Sequence, residues 1–124
     1  MKSIYQLQIH FDASIETFES VSALLGIKPE IQDHFLGKIP CDWVYKVVQE
    51  DDDIYFDFIN EFLNILENNY EKLLEIGIRR EEITIWYLYE YDQQCNMEFD
   101  PIRLKRLGDN GLTLCISCWD ASEH

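Results

Sequence analysis

Cys115-Ile116-Ser117-Cys118 is the pattern in this sequence with the most chemical potential, a Cys-x-x-Cys. A zinc site would need a turn that aims both sulfurs at one ion, and a second ligand pair at suitable spacing. A redox pair would open a helix, whose N-terminus lowers the thiol pKa. These cysteines instead fall in a segment of period two that reads as a strand, where positions three apart face opposite sides. Cys41 and Cys95 stand apart from them and from each other. Packing is the expected role of all four, with reduced thiols and no metal or cofactor.

Three further groups could do chemistry. His10 and Asp12 are two apart and could form an acid–base pair or half a metal site, with His34 as a third member. A small enzyme or ligand-binding domain would set these three around a pocket between the sheet and the loop from Ile27 to Pro40. A polar strand end followed by a helix cap explains His10 and Asp12 more simply. The run Glu50-Asp51-Asp52-Asp53, with Asp57, could hold a hard cation. The calcium-loop pattern of alternating ligands, a central Gly and a closing Glu is missing, so the run reads as a solvated helix start. Arg79-Arg80 and the group Arg103, Lys105 and Arg106 are basic islands. A phosphate site would need a Gly-rich turn entering a helix, which they lack, so solvated faces or local salt bridges are expected. No catalytic residue is assigned.

The elements that must carry these residues follow from hydrophobic spacing. Ser3 to Phe11 alternates, with Tyr5, Leu7, Ile9 and Phe11 on one side, and predicts a strand. Asp12 or Ser14 caps a helix to about Leu25, which Gly26 ends. Asp42 to Val48 is a second strand. An apolar stripe from Ile54 through Phe58, Phe62, Leu66, Tyr70 and Leu73 predicts one long helix over 53–76, closed by Gly77. Ile83 to Tyr91 is a third strand, and Cys95 to Phe99 is expected to return beside it as a hairpin. Asp100-Pro101 opens a short helix, and Leu112 to Trp119 closes the chain as a strand. The order β-α-β-α-β-β-α-β implies an α+β two-layer sandwich of ferredoxin-like type, with a mostly antiparallel sheet and helices on one face.

Composition narrows the function classes. The chain has 124 residues, expected as one domain over 1–124, with 47% hydrophobic and 27% charged residues. Ten Lys and Arg against 24 Asp and Glu leave a net charge of −14. That excess disfavours nucleic acid and anionic membrane surfaces as ligands. Apolar runs are too short to span a bilayer. The opening residues Met1 to Gln8 lack the apolar core of a signal peptide, and a cytoplasmic location is expected. Trp43, Tyr45, Trp86, Tyr87, Tyr89, Tyr91 and Trp119 all fall on strands and divide between core and interface. If helices cover one side only, Trp86 and Leu88, with Trp119, form an exposed aromatic patch on the other.

The opening strand and helix to Leu25-Gly26, Trp43 on the second strand and the long helix form one set of features. Phe99-Asp100-Pro101, leading through Leu104, Leu107 and Gly108 to Ile116-Ser117, forms another. Together they resemble an uncharacterised bacterial family of small α+β domains, some of whose members are encoded near toxin–immunity loci. The resemblance supplies no catalytic residues. With the charge of −14 and the lack of a catalytic constellation, it points to a non-enzymatic binding protein, in one form an immunity-type protein, whose acidic, aromatic surface, including Trp86, Leu88, Trp119, Asp51, Asp52 and Asp53, binds a basic protein partner. Self-association through the sheet is the other expectation for a chain of this kind.

Overall fold

Tyr5, Leu7 and Ile9 are fully buried, while the residues between them are only partly so. This alternation forms the centre of the sheet. The computed structural model describes residues 2–31, 39–50 and 55–121. Among these, strand β1 (Lys2–His10) is followed by helix α1 (Ile15–Leu25) and strand β2 (Asp42–Glu50). Helices α2 (Phe58–Leu66) and α3 (Tyr70–Ile76) come next, then a 3-10 turn at Arg80–Glu82 and strand β3 (Ile83–Tyr91). Helix α4 (Pro101–Asp109) and strand β4 (Thr113–Asp120) complete the order.

The sheet order is β2-β1-β3-β4. β1 pairs antiparallel with both β2 and β3, whereas β3 and β4 run parallel. The architecture is therefore α+β with a mixed sheet, and the expected ferredoxin-like order is corrected in two places. The predicted strand at Cys95 to Phe99 does not form. Both edges of β3 are already taken, by β1 and by β4, so a returning hairpin strand has no backbone to pair with. The chain turns at Asp92–Gln94, with Gln93 at φ +66°, and reaches α4 without a strand. A helix between β3 and β4 then carries the chain across to a parallel neighbour.

The second correction concerns the long helix. It is two helices, interrupted where Asn68 takes the left-handed φ of +73°. Asn tolerates that region, and the Asn69 amide donates to the Ile65 carbonyl at 2.9 Å, closing the first helix. The apolar stripe continues through the break because α2 and α3 lie over the same core. The helix also starts later than the acidic run suggests. Glu50 belongs to β2, Asp57 is the N-cap of α2, and Asp51, Asp52 and Asp53 lie outside the described residues.

Local signals elsewhere act as their chemistry predicts. Ser14, not Asp12, caps α1, accepting from the Thr17 N–H at 3.1 Å. Gly26 at φ +73° ends it, and its N–H donates to Ser22 O at 2.9 Å. Asp100 accepts from the Arg103 N–H at 3.0 Å with Pro101 at the first helical position.

The core lies on one face only. Register places Trp43, Tyr45 and Val47 beside Ile9, Leu7 and Tyr5, and Ile83, Ile85 and Tyr87 on the same side of β1. Phe18 and Val21 of α1, Phe58, Phe62 and Leu66 of α2, Leu73 of α3 and Leu107 of α4 pack onto this surface. Phe58 stacks on Tyr5 with ring centroids 4.8 Å apart and lies 5.4 Å from Tyr87 and 6.3 Å from Phe99. The buried Trp43 Nε1–H donates to Ser22 Oγ at 3.0 Å, which satisfies both polar groups inside the core.

Phe58 joins both inner strands to the helix layer. Phe58→Ala is expected to lower unfolding free energy by about 3–5 kcal/mol. Urea denaturation followed by far-UV circular dichroism measures it; a loss below about 1 kcal/mol would remove Phe58 from the centre of the core.

Candidate functional site

Of the residues singled out as reactive, His10 and Asp12 take separate places at the end of β1. His10 is the exposed last residue of β1, opposite Asp42 in register, on the face that carries Gln6 and Gln8. Asp42 Oδ1 is buried without a hydrogen-bond partner among the described residues. Asp12 lies past the strand and lines a shallow depression with Phe11, Ser14, Gly77 and Glu82, a lining that does not include His10. His34 is outside the described residues. Among the described residues no three His, Cys, Asp or Glu side chains are placed to hold a metal ion.

Cys115 and Cys118 point to opposite faces of β4, as their spacing requires. Cys95, isolated in sequence, is brought towards Cys118, because the Gln93 N–H two residues before it donates to Asp120 Oδ1 two residues past Cys118. Burial, and then the neighbouring sulfur, push the Cys95 thiol up. Sequence distance conceals this pair. Its only local signal is the turn at Asp92-Gln93-Gln94, which sends the chain back over the sheet.

The basic islands form a structural network. From α4, Arg103 makes a two-pronged contact with Asp57 (Nε to Oδ1 2.9 Å, Nη2 to Oδ2 2.8 Å) and reaches Asp100 at 2.7 Å. One turn on, Arg106 grips Glu67 at 2.6 and 3.1 Å and donates to Asn60 Oδ1 and Asn64 Oδ1. Asn110 extends the network: its amide donates to Glu67 Oε2 at 2.9 Å and its Oδ1 accepts from the Tyr70 hydroxyl at 2.6 Å. Arg80 lies 3.8 Å above the Tyr70 ring and donates to the Asn110 carbonyl. Burial pushes Tyr70 up to about 12, so it stays a protonated donor at neutral pH. The Arg103 guanidinium holds Asp57 down at about 2, and Arg106 lowers Glu67. These charges saturate one another and bind α4 to α2.

Among the described residues, no element covers the sheet face away from the helices. It carries Ile4 on β1, Val44 and Val48 on β2, Trp86 and Leu88 on β3, and Trp119 on β4. Val48, Ile4 and Leu88 are direct neighbours across three strands, and Trp86 follows one row along beside Gln6. Trp86 is half-buried with its Nε1–H on Thr84 Oγ1 at 3.1 Å, while Val48 is 46% and Trp119 37% exposed. Glu50 and Glu90 project at the same end of this face as Trp119, and Asp51, Asp52 and Asp53 follow Glu50 in sequence. Of the predicted surface, the structure thus groups Trp86, Leu88 and Trp119.

The strand that carries Trp119 is also an edge. From Thr113 to Trp119 it has no charged residue, and its outer backbone faces no other strand among those described. No described helix is long and apolar enough to cross a membrane. Comparison with family models, with curated proteins and with solved structures finds no match.

Asp57 links charge to stability with a definite sign. Its folded-state pKa is depressed from 3.8 to about 2, so its contribution is present above pH 4 and is lost as pH falls towards 2. Asp57→Ala, which also removes the α2 cap, is expected to cost about 1–2 kcal/mol at neutral pH. Denaturation curves should show this difference, and that caused by Arg103→Met, shrinking between pH 4 and pH 2. The exposed Lys105–Asp109 pair should contribute nothing measurable. A pH-independent penalty would contradict the assignment.

Proposed function

We propose that this chain is a non-enzymatic binding protein of the cytoplasm that captures a basic protein partner on its open sheet face. The observation that carries the reading is an apolar strip, Val48–Ile4–Leu88 with Trp86 and Trp119, that no described element covers, in a chain of net charge −14. Exposed apolar surface bordered by charge is characteristic of interaction sites, and aromatic residues supply much of the energy there.

Electrostatics selects the occupant. Lys28, Arg79, Arg103, Lys105 and Arg106 are each paired with a carboxylate of this same chain. Glu16, Glu61, Glu71 and Glu75 have no ion pair among the described residues. The surplus negative field is thus available to draw in a positively charged protein and raise its association rate. Two copies of the chain repel each other by the same field. An immunity-type protein that neutralises a basic nuclease is the concrete form, in line with the family resemblance carried by Trp43, Phe99-Asp100-Pro101 and Ile116-Ser117.

Affinity purification of the full chain from its native host, read by mass spectrometry, should identify a partner of high pI. With that partner purified, Trp86→Ala combined with Trp119→Ala should weaken binding on the order of 10–100-fold. The association rate should fall steeply as salt is raised. A partner that is acidic, or binding indifferent to both substitutions and salt, would overturn the reading. So would light scattering that shows self-association in place of a monomer at all concentrations.

A further inference from the structure

The segment that fails to become a strand brings two cysteines together. After β3 the chain reverses at Asp92–Gln94, where the Gln93 N–H donates to Asp120 Oδ1 at 3.3 Å. It then returns over the helix-side face of the sheet, and Phe99 packs edge-on against Tyr87 with centroids 6.4 Å apart. Cys118 lies on that same face, since it is the register partner of Tyr89 and Ile116 is that of Tyr87. Cys95, two residues on from the Gln93 that bonds Asp120, is therefore brought to the end of β4 where Cys118 lies two residues before Asp120, and the neighbouring Cys118 helps push the Cys95 thiol up. Cys115 is on the opposite face, and Cys41 precedes β2 on the far edge of the sheet. No other pair of cysteines in the chain is so placed.

We propose that Cys95 and Cys118 are a reversible disulfide site that exchanges with a low-molecular-weight disulfide such as glutathione disulfide. Cys118 is exposed and Cys95 half-buried, so Cys118 meets the reagent first. Its thiolate attacks one sulfur of glutathione disulfide, forms a mixed disulfide and releases one glutathione thiolate. The Cys95 thiolate then attacks the Cys118 sulfur and releases the second glutathione. The two protein thiols lose two protons and two electrons, and the reagent is reduced to two thiols. Residues between Cys95 and Pro101 belong to no helix or strand, so no regular hydrogen-bond ladder holds the segment away from β4. The bond fastens this return segment to β4, next to Trp119 on the edge strand.

The full-length protein, incubated with glutathione disulfide, is expected to lose the mass of two hydrogens as a monomer. Its thiol titre should fall from four to two. A non-reducing peptide map should join Cys95 to Cys118, with Cys41 and Cys115 still open to iodoacetamide. The Cys41→Ser/Cys115→Ser double variant should behave in the same way. Cys95→Ser should instead retain glutathione on Cys118. The proposal is overturned if the wild type accumulates that adduct with Cys95 free, if Cys118 links two chains, or if all four thiols survive. None of these results depends on whether a basic partner binds the open face.

Discussion

A single strand with neighbours on both sides and a cover on one face governs this structure. β1 holds β2 and β3 apart and in register, and its side chains alternate between two environments. Tyr5, Leu7 and Ile9 enter the core, and Ile4, Gln6 and Gln8 do not. A slip of one residue would exchange the two sets, burying glutamines and exposing a tyrosine, so the register admits no alternative. Every described helix then packs on the side where Tyr5, Leu7 and Ile9 point.

Aromatic packing and ion pairing divide the remaining work unequally. Phe58 lies between Tyr5 and Tyr87, and Phe62 meets Tyr45 and Phe56 edge-on. Burial of such rings is worth several kcal/mol each, and favourable ring geometry adds about 0.5–1.5 more. The half-exposed ion pairs of Arg103 and Arg106 contribute less each, since water screens them. Their main effect is orientation. Two-pronged contacts from successive turns of α4 to Asp57 and Glu67 fix both the rotation and the position of that helix on α2.

This internal use of cations has an external consequence. An acidic chain that ties up Arg103 and Arg106 between helices leaves carboxylates such as Glu16, Glu61, Glu71 and Glu75 without an ion pair among the described residues. The charge of the sequence thereby becomes a property of the surface. The open sheet face adds apolar contact area to that field, and β4 adds an uncharged backbone edge. The sheet face and the helix network differ in kind: no described element covers the one, and the charged groups of the other are paired with each other.

Much of this fold is legible in the residues alone. Period two in β1, the caps at Ser14 and Asp100-Pro101, and the stops at Gly26 and Gly77 are local signals, since each acts on backbone within a few positions. The split at Asn68 was open to misreading because both helices serve one core, and the apolar stripe crosses the break. Strand pairing was not legible. The motif from Ile83 to Phe99 resembles a hairpin until β1 and β4 occupy both sides of β3. The contacts of Arg103 with Asp57, of Arg106 with Glu67 and of Cys95 with Cys118 depend on chain segments distant in sequence, and no local spacing encodes them. Sequence alone determined which residues are apolar, where helices start and stop, and how strongly negative the molecule is, because these are properties of composition and of near neighbours. Only the tertiary structure decided which face of the sheet the described helices cover and which charges cancel, because both depend on where segments far apart in the chain come to rest.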